Sequence, residues 1–412
     1  MENDEFLYSP QQMKALTILP YMTAPPSFFA SGAIIYIILR DSRRKLKHVY
    51  HRLLLGMSIM DAMNSLNFAF SALVVPRGTP FVYGALGTPE TCSASGFIFQ
   101  LGFSVLLYNA FLCIYYVLVI RYEKRESFIA KRVEPFMHGF AIIHPLVVAS
   151  MGVVAEGFNP MYVLAGWCYL AYSPYNCNAS DEVDCVRGDN HRSLELFASF
   201  SPAVFAYSSI FVSMILVYCK VRGQEQRMIN RSFVRELNRR EFTKQTVRQA
   251  FLYIASTLIT YIFPAVVTLA VNDLPTKNQR TFFFTLAVLT KVFMPLQGLW
   301  NFMIYLRPRY VALINRNPDR RRISLVRNIV APDTEESKDP TSGASVAGHV
   351  GSDVEITFRS NEPVRGVHEA SGDFVPELFC YFADDDSAAG GHDEDLNDYS
   401  TTHSVTSSGQ AG

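Results

Sequence analysis

Residues 94–120 read ASGFIFQLGFSVLLYNAFLCIYYVLVI and contain no Asp, Glu, Lys or Arg. At roughly 1.5 Å of rise per helical residue, a stretch of this length spans a hydrocarbon core about 30 Å thick. It is too long and too apolar for the buried helix of a soluble domain. Six further apolar stretches bounded by charge, Pro or Gly follow from the same reading, giving spans at about 15–39, 53–75, 94–120, 135–156, 194–219, 249–271 and 281–306. The predicted fold class is therefore all-α, a seven-transmembrane helix bundle. Overall composition agrees, with 49% hydrophobic and only 18% charged residues in 412. The first residues are acidic (Glu2, Asp4, Glu5) and lack the basic start of a cleavable signal, so the first helix is expected to act as its own insertion signal.

The formal net charge of zero hides a segregated pattern. The connection Arg40 to Arg52 holds six Lys and Arg, Arg121 to Glu134 five, Lys220 to Arg248 nine, and Arg307 to Arg327 seven. The N-terminus and the three alternate connections together hold six. Basic residues near helix ends stay on the cytoplasmic side, so the N-terminus is predicted outside and the C-terminus cytoplasmic. Cys92, Cys168, Cys177 and Cys185 all fall on the predicted outer, oxidising face. Four cysteines allow three pairings, and all three stay open at this stage. Asn178 begins an Asn-Ala-Ser glycosylation triplet in the same outer connection.

That connection, Gly157 to Arg192, carries Trp167, Tyr169, Tyr172 and Tyr175 beside its cysteines, the composition of a stiff lid over a bundle mouth. The long basic connection between the fifth and sixth spans interleaves Met228, Phe233, Val234 and Leu237 with arginines. It reads as cytoplasmic extensions of the flanking helices that meet a protein partner, with anionic lipid as the alternative. Within the spans, Asp61 is expected to face the bundle interior with Asn301 as its partner, as a switch or a static hydrogen bond. Lys291 is the one basic residue deep in a span. It is expected to snorkel toward the outer interface, with Glu156 or an anionic ligand as alternative partners. Gln100, Tyr108, Tyr261, Lys291 and Trp300 are the candidate pocket-lining residues, and Pro264 and Pro295 the candidate hinges.

Three segments carry a family resemblance: LLGMSIMD at 54–61, Cys92 at the head of the third span with cysteines in the next outer loop, and NFMIY at 301–305 followed by LRPRY at 306–310. With these, residues 15–325 resemble a divergent G-protein-coupled receptor, similar to protist and algal receptors between the rhodopsin-like and cyclic-AMP-receptor-like groups. The resemblance implies that Asp61, Asn301 and Tyr305 form a polar switch core. It implies that Arg121, with Arg235, Arg239 and Arg240, meets a heterotrimeric G protein, and that 307–322 forms a short helix along the cytoplasmic membrane surface. Three features depart from the family pattern. Phe302 replaces a proline, Ile120 replaces the acid before Arg121, and Lys291 precedes Asn301 by ten residues, further than the retinal-binding lysine of opsins.

From 323 to 412 the chain is rich in Ser, Thr, Gly, Asp and Glu, the composition of a disordered cytoplasmic tail. Ser324, after Arg321 and Arg322, is a candidate phosphorylation site, and kinases and arrestin-like proteins are the partners expected there. The functional expectation is a plasma-membrane receptor, preceded by a short outer N-terminus (1–14), that passes an extracellular signal of unknown chemistry to a G protein. It is not expected to be an enzyme or to need a cofactor, metal or nucleic acid. A seven-helix transporter or channel is the first rival, disfavoured because the sequence shows neither the internal repeats nor the charged pathway expected of one. A scaffold without coupling is the second.

Overall fold

The computed structural model describes residues 7–175, 177, 183–188, 191–227, 233–270 and 277–316. In chain order the helices are α1 (Pro10–Arg40), α2 (Ser42–Lys45), α3 (Val49–Phe70), α4 (Pro89–Leu101), α5 (Phe103–Ile120), α6 (Glu126–Phe128) and α7 (Glu134–Val154). After the strands β1 (Phe158–Pro160) and β2 (Cys168–Leu170) come α8 (His191–Glu195), α9 (Ser201–Arg227), α10 (Phe233–Ala270), α11 (Arg280–Phe293) and α12 (Gln297–Arg316).

Six of the resulting segments are each long and apolar enough to cross a membrane: α1, α3, the α4–α5 pair, 126–154, 193–220 and 251–270. The seventh crossing is the pair α11 and α12, bent by 48° at a short break. Pro295 sits in that break, where its ring and missing N–H interrupt the helical ladder. The chain is thus a multi-pass membrane protein with a seven-helix bundle. Its lipid-facing character shows in large apolar side chains left on the surface of the spans, among them Phe29, Phe136, Phe211 and Leu269. The third crossing is the central one, with 83% of its apolar window buried against 28–44% in the other single-helix spans.

Local chemistry sets the ends. Ser9 caps α1 in a reciprocal box with Gln12, and Pro10 occupies the first helical turn. Thr88 and Thr91 cap α4 in the same way. Helix thus begins at Pro10 and Pro89, five residues before each expected start, because capping groups rather than apolarity decide where a helix opens. The second crossing stops at Phe70, short of 75, and the following residues turn toward the short bridge between Pro76 and Gly87. Gly102 separates α4 from α5, and the Asn64 side chain packs against it where any Cβ would collide. Single π-helical turns open the fourth and fifth crossings at Ile129–Val133 and Leu196–Phe200.

The described ends of the chain are both built into the bundle. Residues 307–316 do not start a separate helix, because α12 runs through Pro308 to Arg316 with no Gly or second breaker to stop it. Leu7 and Tyr8, ahead of α1, are held in place by the bundle. Leu7 and Tyr8 are buried, Leu7 N donates to Tyr162 Oη at 2.7 Å, Tyr8 Oη donates to Val163 O at 3.0 Å, and Arg280 Nε donates to Leu7 O at 2.6 Å. Residues 317–322 and the expected tail at 323–412 lie outside the described residues.

The connection after α7 folds back as a two-stranded antiparallel hairpin, with Asn159 opposite Tyr169. Disulfides join Cys92 to Cys168 and Cys177 to Cys185. The Phe158 ring wedges between Gly96 of α4 and Gly152 of α7, filling space that a side chain at either position would occupy. Asn159 Nδ2 donates to Glu156 O and Ala171 O at 2.9 and 2.8 Å, closing the base of the hairpin. This lid defines one end of the bundle, and the basic connections define the other.

Candidate functional site

A file of buried polar groups runs from the lid to the basic end, mostly along the first, second and seventh crossings. At its head is Lys291, with no exposed surface. Its Nζ donates to Ala165 O in the lid at 2.7 Å and lies 4.2 Å from the centroid of the Trp167 ring. A desolvated cation over an indole is worth roughly 2 kcal/mol, which offsets only part of the cost of burying an ammonium. Trp167 packs in turn on Phe68 and Phe99, at ring centroid distances of 4.8 and 5.6 Å. The expectation of a snorkelling lysine is overturned, because the lid covers the side chain and supplies a carbonyl and an aromatic face. Glu156 is not its partner either, being 61% exposed and 3.8 Å from Arg187.

One helical turn at a time, α1 presents hydroxyls to the seventh crossing and then to the second. Thr23 Oγ1 donates to Lys291 O at 3.1 Å, Ser27 Oγ accepts from Gly298 N at 2.8 Å, and Ser31 Oγ donates to Asp61 Oδ2 at 2.6 Å. Gly298 is required there, since a Cβ would fall on Asp61, Ser31 and Ser27 together. Asp61 therefore takes Ser31 as its partner and not Asn301, because the bare backbone of Gly298 lets α1 close on α3. Asn301 Oδ1 instead accepts from Gln297 Nε2 at 3.2 Å. Asn301 Nδ2, Gln297 Oε1 and Asn64 Oδ1 are buried and have no hydrogen-bond partner among the described residues.

Toward the basic end the file becomes aromatic. Tyr305 lies edge-on to His51, and His51 edge-on to Tyr50. The Tyr50 and Tyr253 hydroxyls are 3.2 Å apart, and Gln249 Nε2 donates to Tyr50 Oη at 2.8 Å. This cluster ties α3 to α10. Beside it, Arg52 grips the buried Glu134 with two guanidinium nitrogens, and Glu126 accepts from Val49 N and contacts His48 Nδ1. Sequence reading missed Tyr50, Gln249, Arg52 and Glu134, although an acid and a base near the ends of neighbouring spans were visible signals for the last two.

Each pocket candidate has surroundings of its own. Gln100 is engaged by the lid, accepting from Tyr169 Oη at 2.6 Å and donating from Nε2 to Ala198 O at 3.1 Å. Ser199 Oγ is 2.7 Å from the same phenol, and burial pushes the Tyr169 pKa upward. Tyr108 lies toward the basic end, with its hydroxyl 2.9 Å from His138 Nδ1 and its ring filling the space beside Gly56. The apolar character of the third crossing on every side concealed that direction. Tyr261 belongs to the apolar cluster beneath the lid, while Trp300 is half-buried beside Asn301.

Of the expected partner-facing residues, Arg121 caps α5 with its guanidinium 5.9 Å from the Tyr122 ring centroid. Arg235, Arg239 and Arg240 lie on the first turns of α10, and their side chains lie outside the described residues. Asn178 and Ser324 also lie outside them. No group of His, Cys, Asp and Glu able to hold a metal occurs among the described residues.

No family model matches the chain, and no curated protein matches it by sequence. Its structure is similar to the crystal structure of squid rhodopsin, with a TM-score of 0.54 and 16% identity over 80% of this chain and 93% of that one. The chain thus has the seven-helix fold of rhodopsin, at a sequence distance where the likeness speaks for the fold alone.

Proposed function

We propose that the chain is a G-protein-coupled receptor of the plasma membrane, with its lid and N-terminus outside and its basic connections in the cytoplasm. The observation that carries this reading is the buried polar file linking a disulfide-held lid to a hydrogen-bonded anchor on the sixth crossing. Its middle, at Asp61, Asn301 and Gln297, is incompletely paired, and polar groups of that kind can exchange partners when helices shift. Signal binding at the lid end favours one arrangement of the file, and release of Tyr253 and Gln249 from Tyr50 frees α10 at the other end. A ligand shifts such an equilibrium only by its differential affinity for the two states. The G protein engages the surface around Arg121 and the facing ends of α9 and α10, where helix extends on both sides of the fifth connection as far as Arg227 and from Phe233.

The test is nucleotide exchange on co-expressed G proteins in membranes carrying the chain, with Asp61→Asn and a deletion of 225–240 as controls. The reading requires basal or ligand-stimulated exchange that the deletion abolishes. Membranes with correctly folded chain and no exchange on any G-protein class, across broad ligand pools, would replace it with a scaffold.

A further inference from the structure

Leu7 and Tyr8 are held in the way that a bound peptide is held. Both are almost fully buried, at 3% exposure each, although they lie ahead of the Ser9 cap that opens α1 and belong to no helix or strand. Both main-chain polar groups of Leu7 go to side chains from distant parts of the sequence, its N–H to Tyr162 Oη at 2.7 Å and its carbonyl to Arg280 Nε at 2.6 Å. The Tyr8 hydroxyl donates to Val163 O at 3.0 Å, and its ring meets Phe284 edge-on at a centroid distance of 5.8 Å. In peptide recognition, main-chain hydrogen bonds hold the segment and side-chain pockets read it. The groups that do so here have supports of their own. Tyr162 stacks on Tyr175 at 4.7 Å and meets Phe81 edge-on at 5.3 Å, the lid carrying Val163 is anchored to α4 by Cys92–Cys168, and Arg280 and Phe284 sit one turn apart at the start of α11. Taking Leu7 and Tyr8 away therefore leaves a space of their own size and shape.

We infer that the outer mouth of the bundle is a recognition site for an extended peptide carrying an apolar residue followed by tyrosine, and that Leu7–Tyr8 fills it in cis. The inference deepens the receptor reading and rests on it for its biological role, in which such a peptide is the signal and the resident pair its competitor. Because the pair is part of the chain, it returns to the site without having to diffuse there, and a free peptide competes at a disadvantage. Tyrosine is selected over phenylalanine, because Val163 O loses its donor when the hydroxyl is absent.

The test uses the purified chain in detergent with its disulfides intact and no G protein present. Two variants vacate the site: deletion of residues 2–8, which keeps the Ser9–Gln12 cap, and Leu7→Ala with Tyr8→Ala in the otherwise intact chain. Acetyl-Phe-Leu-Tyr-Ser-amide, the sequence of residues 6–9 as a free peptide, is titrated and the thermal unfolding midpoint recorded. The comparison peptides carry Phe in place of Tyr, or Gly in place of both Leu and Tyr. A saturable rise of about 2 °C or more is expected in either variant, with roughly 2- to 10-fold weaker binding of the Phe peptide and no rise with the Gly peptide. The unsubstituted chain is expected to need roughly tenfold more peptide or beyond for the same rise. Absence of a rise in both variants, an equal rise with the Gly peptide, or an equal response of the vacated and unsubstituted chains overturns the assignment. If neither variant folds, excess peptide on the unsubstituted chain decides the matter: a saturable rise that the Gly peptide does not give supports it, and no rise overturns it. If exchange responds to ligand pools while the peptide leaves every midpoint unmoved, the peptide site fails alone. If the peptide binds and no G protein responds, the receptor reading fails alone.

Discussion

Ser31 Oγ donates a 2.6 Å hydrogen bond to Asp61 Oδ2, joining the first and second crossings at a buried acidic group. Without Ser31 that oxygen loses its donor in a place water reaches poorly. Ser31→Ala is expected to cost about 1–3 kcal/mol, seen as a lower unfolding midpoint in detergent. The cost should fall by roughly half or more in an Asp61→Asn background, since the two changes share one interaction. Additive effects would show that the pair is not coupled.

Gly298 holds the same junction open from the seventh crossing. Gly298→Ala places a methyl on Asp61, Ser31 and Ser27 at once, and overpacking of this kind typically costs about 1–3 kcal/mol. Adding Ser31→Ala should recover part of the loss by making space. If the double variant is no more stable than Gly298→Ala alone in thermal unfolding, the crowding lies elsewhere.

The Cys92–Cys168 and Cys177–Cys185 bonds are unequal in what they constrain. Cys92–Cys168 spans 76 residues of sequence and Cys177–Cys185 spans 8, so on chain-entropy grounds the first restricts the unfolded chain more, by about 2 kcal/mol. Cys168→Ala, paired with Cys92→Ala to avoid a stray thiol, should lower the unfolding midpoint well beyond the matching change at 177 and 185. Peptide mapping under non-reducing conditions checks the pairing itself.

Tyr50 holds Tyr253 and Gln249 of α10. If release of α10 accompanies signalling, Tyr50→Phe should raise basal nucleotide exchange by roughly 2- to 10-fold, the range set by losing one or two modest hydrogen bonds. Unchanged or lower basal exchange at equal surface expression would remove this cluster from the switching role.

Tyr169 fastens the lid to Gln100, and its phenol is buried, which favours the neutral form and lifts the pKa above its ordinary value of 10.0. A group whose pKa is higher in the folded state contributes fully below the unfolded value and loses that contribution as pH rises toward the folded one. The unfolding midpoint should therefore be level up to about pH 10 and fall above it. Tyr169→Phe should be less stable at neutral pH and show a shallower alkaline fall, measured between about pH 8 and pH 11.

The fold was legible because a bilayer imposes a coarse and unforgiving pattern. The uncharged run at 94–120 became the central crossing, and the alternation of basic connections matched a bundle with a lid at one end. The exact helix starts were not legible, because Ser9 with Gln12 and Thr88 with Thr91 set them through side-chain capping, beyond the reach of a count of apolar residues. The site was legible as a set of residue types and not as a set of partners. Asp61 and Lys291 stood out by their charge, yet their contacts come from Ser31 in α1 and from Ala165 and Trp167 in the lid. Those pairings depend on how closely one helix backbone approaches another, which Gly298 permits without announcing it.

The lid also changes how an arriving molecule must be counted. Ala165 and Tyr169 already occupy hydrogen bonds of Lys291 and Gln100 at the mouth of the bundle, and the Cys92–Cys168 bond keeps them there. A tethered segment competes at an effective concentration that can reach the millimolar range, whatever the dilution outside. Any molecule binding beneath it is therefore opposed by a resident rival. Its apparent affinity falls with the fraction of time the lid stays seated, and cutting the tether would lift that competition without altering any contact beneath the lid.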